Sequence, residues 1–465
     1  MDCVSLIAYF VDMESSTSDK DRRIAELEQE VKMLKAIIFD LIERLAKYEN
    51  PKNSRNSSIP PSKDENRPFK SKSLREVSGK KPGGQPGHEG KTLEMVSVPD
   101  EIIAHNPLFC KHCGLDISHL PAEMIEKRQV VEIPPIKPVY IEHQVFARTC
   151  TCGCTIIGSF PPEITPGISY GKSVESLSAY FYARQYLPFA RMQEMFNDVF
   201  SLPISEGGIH QVLDRATAKS EPAYKLIHER IKDASVIGSD ETGTHIGKGK
   251  GWFWTWQNEK LTYIVASLNR GTQTINKHFE RGFPKAILVH DCWKSHFEPN
   301  ALTHQICIAH LLRELTYLDE CYDSTWPKLF KELLRDAIHL KQKLTPSDYL
   351  APISERTNLI LRLLELIETP VRSEYTELAA FHRRMIKYQN YIFTFLFNFD
   401  VPPDNNGSER AIRNIKVKHK ISGYFKSIKG AEQFAILRSV IDTAIKNGQN
   451  VLNAFSQILS VNLVG

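Results

Sequence analysis

Two aspartates in the second half of the chain each end a run of apolar residues. Asp240 follows a run that begins at Val236, and Asp291 follows a run that begins at Ala286. Short apolar runs of this kind are typical of buried strands, so the sequence predicts each acid at the tip of a strand. A third acid, Glu409, lies at the start of a predicted helix. Any one of these acids alone could equally be a solvated surface carboxylate.

The helix that carries Glu409 is also basic. Helical spacing places Glu409 near one face with three cations, Arg413, Lys416 and Lys420. Three carboxylates brought together would offer the hard oxygen ligands that suit Mg²⁺ or Mn²⁺. Two such ions can activate a nucleophile and stabilise a leaving oxygen in phosphodiester chemistry, and the cations would then hold DNA phosphates.

Cysteines are concentrated in one short region. Of nine cysteines, five lie between Cys110 and Cys154. Two close cysteine groups with a β-rich span between them predict a zinc ribbon in a reducing compartment. We favour four Zn²⁺ ligands, Cys110, Cys113, Cys150 and Cys152. The substitutes that the sequence leaves open are Cys154, His112 and His105, and reduced cysteines without metal are the alternative.

The elements around the acids follow a recognisable order. A strand ending in Asp240 is followed by a tryptophan-rich hairpin, a helix, a strand ending in Asp291, a further strand and a long helical region before Glu409. This order is that of a ribonuclease-H-like fold, in which two neighbouring strands and one helix bring three carboxylates together. The fold class predicted is therefore multidomain α/β with a ribonuclease-H-like catalytic core and a helical insertion.

The N-terminal part predicts two further segments. Apolar residues from Ile24 to Tyr48 alternate steps of three and four, which predicts a parallel two-stranded coiled coil and hence a homodimer. An amphipathic helix packed on its own domain is the alternative. The stretch up to residue 95 is rich in Ser, Pro, Gly and Lys, so it is expected to be a basic disordered arm that follows phosphates, or a plain linker.

A helical pair precedes the first acid. The break near Pro203 and a candidate N-cap at Ser205 predict two helices around a turn. A helix-turn-helix of this kind would offer three side chains to DNA, His210, Gln211 and Arg215. Any helical hairpin has the same pattern.

The chain of 465 residues, 42% hydrophobic and 25% charged, is long enough for several domains, and its net charge of +4 is too small to indicate a partner by itself. No apolar run suits a membrane span and the apolar start is a poor signal peptide, so a cytoplasmic, nucleoid-associated protein is expected. The predicted segments are a flexible N-terminus (1–19), coiled coil (20–49), basic linker (50–95), zinc ribbon (96–165), helix-turn-helix-like DNA-binding domain (166–232), catalytic core (233–315 and 400–450), helical insertion (316–399) and C-terminal helix or tail (451–465).

Several motifs together resemble one family, the DDE transposases of insertion-sequence family 66. They are Asn56 to Asp64, Lys81 to Gly90, the ribbon cysteines, Leu187-Pro188, Asp240-Glu241-Thr242, Cys307 with His310, and Asn405-Asn406 before Glu409-Arg410. The resemblance implies a catalytic triad of Asp240, Asp291 and Glu409 acting on double-stranded DNA at transposon ends and target. It implies Lys416 as a basic partner of the acidic helix, and it leaves open whether accessory transposition proteins take part.

Two other functions compete with this one. The chain could be a non-catalytic DNA-binding regulator that uses the nuclease-like fold as a scaffold, although three intact acids count against that. It could also be a nuclease of another ribonuclease-H branch that acts on RNA or branched DNA, although the linker motifs count against that. Cys307 is expected to be a buried strand cysteine, and His310 a histidine at the edge of the active site.

Overall fold

A computed structural model describes residues 3–57, 59, 64–66, 93–162, 164 and 167–460, with side chains from residue 20 onward. Its helices are α1 (Cys3–Glu49), α2 (Lys172–Ala183), α3 (Phe189–Phe200), α4 (Glu206–Lys232), α5 (Thr272–His278), α6 (Ile308–Cys321), α7 (Trp326–Lys343), α8 (Ser354–Glu368), α9 (Thr376–Tyr388), α10 (Asn406–Ser422), α11 (Ile428–Lys446) and α12 (Val451–Ser460). Its strands are β1 (Ala147–Thr149), β2 (Thr155–Ile157), β3 (Val236–Ile246), β4 (Gly249–Gln257), β5 (Thr262–Ser267), β6 (Phe283–His290) and β7 (Ala301–Ile306).

The central element is a five-stranded mixed sheet in the order β5-β4-β3-β6-β7. Strands β3, β4 and β5 form an antiparallel meander, whereas β6 pairs parallel with β3 and β7 parallel with β6. Asp291 directly follows β6, as predicted. The prediction that Asp240 ends its strand is wrong: β3 continues to Ile246, because β4 pairs with it along that whole length after β6 has diverged.

Helices α11 and α4 cover the outer strand of the meander. The backbone N–H of Thr262 donates to the Thr443 hydroxyl at 3.1 Å, and that of Ile264 donates to the Ser439 hydroxyl at 2.9 Å. On α4 the Tyr224 hydroxyl donates to the Ile264 carbonyl at 2.8 Å. Side chains thus satisfy the backbone groups of an edge strand that would otherwise be open to pairing. The Ser205 hydroxyl accepts the Gly208 N–H at 3.0 Å and caps α4, as predicted.

In the sequence, helices α6 to α9 lie between Asp291, which follows β6, and Glu409, which is on α10. They share a core in which Trp326 packs on Phe330, with ring centroids 4.9 Å apart, and on Phe381. The Trp326 indole N–H donates to the Leu366 carbonyl at 2.8 Å, which joins α7 to α8. The long sequence separation between Asp291 and Glu409 is therefore filled by a packed helical layer.

The end of α1 and the residues after it contact this helical layer. Asn56 is only 1% exposed, and its side-chain amide donates to the Glu320 carboxylate at 2.8 Å. Lys52 lies 3.1 Å from Glu377 at the start of α9, and the Tyr322 hydroxyl donates to Glu43 at 2.9 Å. Part of the predicted linker is thus held by specific polar contacts. Most of residues 58 to 92, including the motif from Lys81 to Gly90, lies outside the described residues.

The chain divides into two units, the larger formed by Met1–Arg67, Tyr140–Asp198 and Pro203–Gly465, the smaller by Pro68–Val139 and Val199–Leu202. The predicted strands between the cysteine groups are wrong, since residues 121–146, all of them described, contain no strand. Val130, Ile133 and Val139 are each more than 80% exposed, and an alternating pattern forms a strand only where a partner and an apolar surface are available. In the described part of the chain, no helix is both long and apolar enough to cross a membrane.

Candidate active site

Asp240 is on β3 and has three other acids in its surroundings. Its carboxylate accepts the backbone N–H of Glu241 at 2.9 Å. Burial raises the pKa of Asp240 well above its usual value, and the neighbouring carboxylates of Asp291, Glu241 and Glu409 raise it further. The two strand acids and the helix acid are therefore close enough for their charges to act on one another.

Asp291 directly follows the neighbouring parallel strand, β6, at the start of a tight turn. One carboxylate oxygen accepts the backbone N–H of Trp293 at 2.9 Å and lies 3.8 Å from the His296 imidazole. The same imidazole lies 3.0 Å from the buried carboxylate of Glu241, and its other nitrogen lies 3.2 Å from the Ser239 hydroxyl. His296 thus links the acid-bearing segments of β3 and β6.

Glu241, the residue next to Asp240, is paired with Arg270 and His296. Burial opposes its ionisation, but the hydrogen bond and charge of His296 and the charge of Arg270 outweigh burial and hold the pKa of Glu241 below its usual value. Arg270 contributes a 3.0 Å ion pair. Two adjacent acids on β3 consequently have opposite shifts, because Glu241 has cationic or hydrogen-bonding partners and Asp240 mainly has like charges around it.

The start of α10 is fixed against β3 by close polar packing. The Asn405 side-chain amide donates to the Ser239 carbonyl at 2.7 Å, and the Ser408 hydroxyl donates to the Asn405 side chain at 2.7 Å. A Cβ added at Gly238 would lie 2.4 Å from Gln257 Nε2 and 2.7 Å from Asn405 Oδ1. Glycine at position 238 therefore permits the approach that carries Glu409 toward Asp240.

Glu409 itself faces two groups on α6. The Arg313 guanidinium donates to its carboxylate at 2.8 Å, and His310 Nε2 lies 3.8 Å away. Burial and the charge of Arg313 lower the pKa of His310, while Asp291 and Glu409 oppose that shift. His310 Nδ1 is buried, and the described part of the chain offers it no hydrogen-bond partner.

Cys307 precedes His310 by one helical turn and is fully buried at the N-cap of α6. Its sulfur accepts the backbone N–H of Asn405 at 3.2 Å. The thiol thereby joins the start of α6 to the start of α10. Cys307 acts here as a packing and hydrogen-bonding residue, and burial raises its pKa to about 12, which keeps it a neutral thiol.

Within the described residues, no three His, Cys, Asp or Glu side chains converge closely enough to hold one metal ion. The donor set nevertheless suits a hard divalent cation in its chemistry, since it consists of carboxylate oxygens whose mutual repulsion raises the pKa of Asp240. In this arrangement the Arg313 guanidinium is paired with the Glu409 carboxylate. The acids can bind cations or accept protons, and no nucleophilic side chain with a lowered pKa accompanies them among the groups described above.

The predicted DNA-binding residues have different environments. Arg413 and Lys420 on α10 are exposed, and the Lys416 ammonium donates to the Gly243 carbonyl at 2.5 Å. On α4, His210 and Gln211 are exposed. Arg215 is paired at 2.9 Å with Glu175, a buried acid on α2 that also binds Lys219 at 2.7 Å. Arg215 therefore has a structural partner that the helical pattern did not reveal.

In the smaller unit, Cys110 opens a tight turn. The Cys110 N–H donates to the Leu115 carbonyl at 2.8 Å, and the Gly114 N–H donates to the Cys110 carbonyl at 2.9 Å, with Gly114 at a φ of 74°. The backbone N–H groups of Cys113 and His112 lower the pKa of the Cys110 thiol.

In the larger unit, Cys150 opens a similar turn that is one residue shorter. The Gly153 N–H donates to the Cys150 carbonyl at 2.9 Å with Gly153 at a φ of 84°, and the Cys150 N–H donates to the Cys154 carbonyl at 2.8 Å. The backbone N–H of Cys152 lowers the pKa of the Cys150 thiol. Cys152 precedes the left-handed glycine as Cys113 does in its own turn, whereas Cys154 takes the place of Leu115.

Sequence reasoning gave no site role to several residues around the acids, namely Glu241, Arg270, His296 and Arg313. Arg313 had a usable signal, because it follows His310 by three residues and so lies on the same face of a helix. The others come from loops and from the residue next to Asp240. No pattern in the sequence places Arg270 or His296 beside Glu241.

Comparisons with known proteins add the family. A search of curated proteins found no match. The profile of a family of unknown function (DUF6444) matches residues 14–94. The profile described as Transposase IS66 family matches residues 167–433, which include α2 to α10, all five strands of the central sheet and each of the three acids. Since this match covers more than half of the chain, the protein belongs to the IS66 family of transposases.

Proposed function

We propose that this transposase cleaves DNA at transposon ends and joins the freed 3′ ends to target DNA, with Asp240, Asp291 and Glu409 as its catalytic acids. The observation that carries the proposal is the placement of the acids: Asp240 is on β3, Asp291 directly follows the parallel strand β6, and the helix of Glu409 is held to β3 by the 2.7 Å hydrogen bond from Asn405 to the Ser239 carbonyl. The raised pKa of Asp240, to which Asp291 and Glu409 both contribute, agrees with this placement. Acids whose pKa values are shifted by burial and by the charges of neighbouring acids are typical of functional sites. Family membership supports the same reaction class.

The sheet order supports a ribonuclease-H-like core. An antiparallel meander joined to two parallel strands, with one acid on the first strand and one after the fourth, is the arrangement expected of that fold. The helical insertion then corresponds to α6 through α9, and α10 brings in the third acid. Acids from three separate segments would thereby be brought to the same part of the sheet.

The cofactor proposed is Mg²⁺ or Mn²⁺, because carboxylate oxygens are the ligands that these ions prefer, and Asp240, Asp291 and Glu409 would hold it. When bound, such ions supply charge stabilisation to the entering and departing oxygens of a phosphodiester. The chain's own residues arrange the acids: Trp293 N–H orients Asp291, and Asn405 anchors the helix of Glu409. Arg313 pairs with the Glu409 carboxylate, for which the ion would have to compete. His310 Nε2 faces Glu409 and its burial favours the neutral imidazole.

DNA binding is proposed to rest on groups outside the acid set. Exposed Arg413 and Lys420, with Lys416 on the same helix, would contact phosphates near the acids. His210 and Gln211 on α4 are proposed as further contacts, and Arg215 would reach DNA only from its ion pair with Glu175. Such a protein would act on nucleoid DNA in the cytoplasm.

We also propose one structural Zn²⁺ held by Cys110, Cys113, Cys150 and Cys152. The spacing of the cysteines in the sequence supports this proposal. The turn at Cys110 and the turn at Cys150, each described separately, support it as well. In both turns a backbone N–H from the second cysteine lowers the pKa of the first thiol, which favours the thiolate that zinc binds. The position of the left-handed glycine favours Cys152 over Cys154.

The non-catalytic regulator is the alternative function. It would need the DNA-binding groups but would have no use for acids whose mutual repulsion raises the pKa of Asp240. The experiment compares Asp240→Asn, Asp291→Asn and Glu409→Gln with the wild type for end cleavage, strand transfer and DNA affinity in Mg²⁺. Asp233→Asn, an exposed acid paired with Lys285, is the control.

We expect each triad variant to lose cleavage and strand transfer by at least a hundredfold while DNA affinity changes little, because phosphate contacts lie elsewhere. Retained cleavage in any one of the three variants would contradict the assignment of that acid. Absence of cleavage by the wild type on end-bearing DNA, together with normal DNA binding, would favour the regulator.

A further inference from the structure

Trp293 is an exposed aromatic ring immediately beside a proposed catalytic acid. It follows Asp291 by two residues, its backbone N–H donates to the Asp291 carboxylate at 2.9 Å, and it is 39% exposed. Trp254, Trp256 and Trp326 are by contrast buried. A large apolar ring left in solvent next to charged groups is a candidate binding surface.

Arg270 fixes the position of this ring. Its guanidinium lies 3.9 Å from the centroid of the Trp293 ring, and it also pairs with Glu241 at 3.0 Å. Arg270 lies between β5 and α5, whereas Trp293 follows β6, so two loops meet at this contact. A second link between the same loops is the hydrogen bond from the Thr272 hydroxyl to Glu298.

The stacked pair is connected to both strand acids. Glu241, next to Asp240 in sequence, holds the guanidinium, and the backbone of Trp293 holds Asp291. Because Glu241 neutralises Arg270, the pair presents an aromatic surface with little net charge. Such a surface suits the π-face of a nucleobase better than a phosphate, whose recognition needs uncompensated cations.

We propose that Trp293, backed by Arg270, stacks with an unpaired nucleobase of the DNA strand that the three acids act on. The inference rests on the proposed function, since it takes the DNA strand to lie at these acids. A base that has left the duplex stack offers its full face to an aromatic side chain, and stacking of this kind is tolerant of sequence. The pair would therefore favour DNA ends that fray or carry unpaired bases.

Intrinsic fluorescence tests this contact without catalysis. Full-length protein in EDTA is titrated with a duplex that has a short unpaired overhang and with the same duplex fully paired, while anisotropy of a dye on the DNA reports affinity. Stacked bases quench indole emission, and Trp293 is the exposed tryptophan beside the acids. We expect quenching by the overhang duplex, loss of most of it in Trp293→Phe, and its retention in the control Trp252→Phe.

Affinity gives a second measurement. We expect Trp293→Ala to weaken binding of the overhang duplex about fivefold or more, to weaken the paired duplex less, and Trp293→Phe to restore much of the loss. Full quenching in Trp293→Phe, or equal affinity of Trp293→Ala and wild type for the overhang duplex, would overturn the inference.

Cleavage assays in Mg²⁺ on the same proteins separate this inference from the proposed function. Metal-dependent cleavage by a wild type whose quenching does not depend on Trp293 refutes the stacking contact alone. Trp293-dependent quenching in a wild type that cannot cleave end-bearing DNA supports the contact and refutes the nuclease proposal.

Discussion

The guanidinium of Arg313 on α6 donates to the carboxylate of Glu409 on α10 at 2.8 Å, so the acid carried by the helix is paired with a cation from the helical layer. An Mg²⁺ ion would compete with that guanidinium for the same carboxylate. Since a partly exposed ion pair is worth about 1 kcal/mol or less, we expect Arg313→Gln to tighten Mg²⁺ binding about two- to fivefold.

Titration calorimetry measures this affinity. Arg362→Gln, which breaks a 2.8 Å pair with Asp336 in the helical layer, is the matched control and should leave Mg²⁺ affinity unchanged. Weaker Mg²⁺ binding by Arg313→Gln would show instead that Arg313 holds Glu409 ready for the metal.

Asp240 predicts a dependence of stability on pH. Burial, Asp291, Glu241 and Glu409 raise its pKa well above the usual value of 3.8. A raised folded-state pKa means that the stabilising contribution is complete below 3.8 and is lost as the pH rises through the folded-state pKa. Asp240→Asn, which stays neutral, should therefore be more stable than the wild type in EDTA, and the difference should grow as the pH rises.

Thermal unfolding from about pH 5 to about pH 8 measures the effect, and each 1 kcal/mol corresponds to roughly 1–2 °C for a folded unit of this size. Adding Mg²⁺ should raise the Tm of the wild type more than that of Asp240→Asn, because binding to the folded state stabilises it. Asp233→Asn serves as the exposed control. A difference in Tm that shrinks toward high pH would contradict the assigned direction of the pKa shift.

A substitution at Gly238 tests whether close packing against β3 positions α10. A Cβ at this position would lie 2.4 Å from Gln257 and 2.7 Å from Asn405, both of which belong to the polar network that fixes α10. We expect Gly238→Ala to cost about 1–3 kcal/mol in the free energy of unfolding and to displace Glu409, with a loss of cleavage.

Gly243→Ala on the same strand is the matched control, because its Cβ would meet its nearest neighbour, Trp252, at an ordinary 3.8 Å. Urea unfolding and end cleavage are measured for both variants. Equal behaviour of the two would mean that the contact at position 238 relaxes without moving the helix.

The cysteine turns predict which thiol the zinc site needs. Cys152 precedes the left-handed Gly153, whereas Cys154 only pairs its carbonyl with the Cys150 N–H. Metal analysis of purified protein should find about one zinc per chain, retained in Cys154→Ser and lost in Cys152→Ser. The reverse result would assign Cys154 as the ligand.

The sequence allowed parts of the fold and of the candidate site to be predicted because some signals are local. Alternation predicts the β4 and β5 hairpin, and the apolar run before Asp291 predicts β6. The pairing of β3 with β4 beyond Asp240 depends on register, which an apolar run does not encode. Arg270 and His296 reach Glu241 only through loops folded over the sheet, and the expected strands of residues 130–145 fail for want of a partner.

The last prediction concerns dimerisation through helix α1. Its predicted seam remains exposed along the described helix, while the end of the helix contacts the helical layer through the hydrogen bond between Glu43 and Tyr322. The seam residues are Ile24, Leu27, Val31, Leu34, Ile38, Leu41, Leu45 and Tyr48. We propose that a second copy of α1 covers this stripe as a coiled coil, since apolar side chains in a continuous row are costly to leave in water.

Leu34→Glu places a charge in the middle of the seam without touching the contacts made by Glu43, so we expect it to convert a dimer into a monomer or to weaken dimerisation at least tenfold. Ala36→Glu lies away from the seam by helical spacing and is the matched control. Light scattering over a concentration series measures the mass of each full-length protein. If Leu34→Glu keeps the mass of the wild type at every concentration, the principal contact between copies lies elsewhere, and the stripe has another partner.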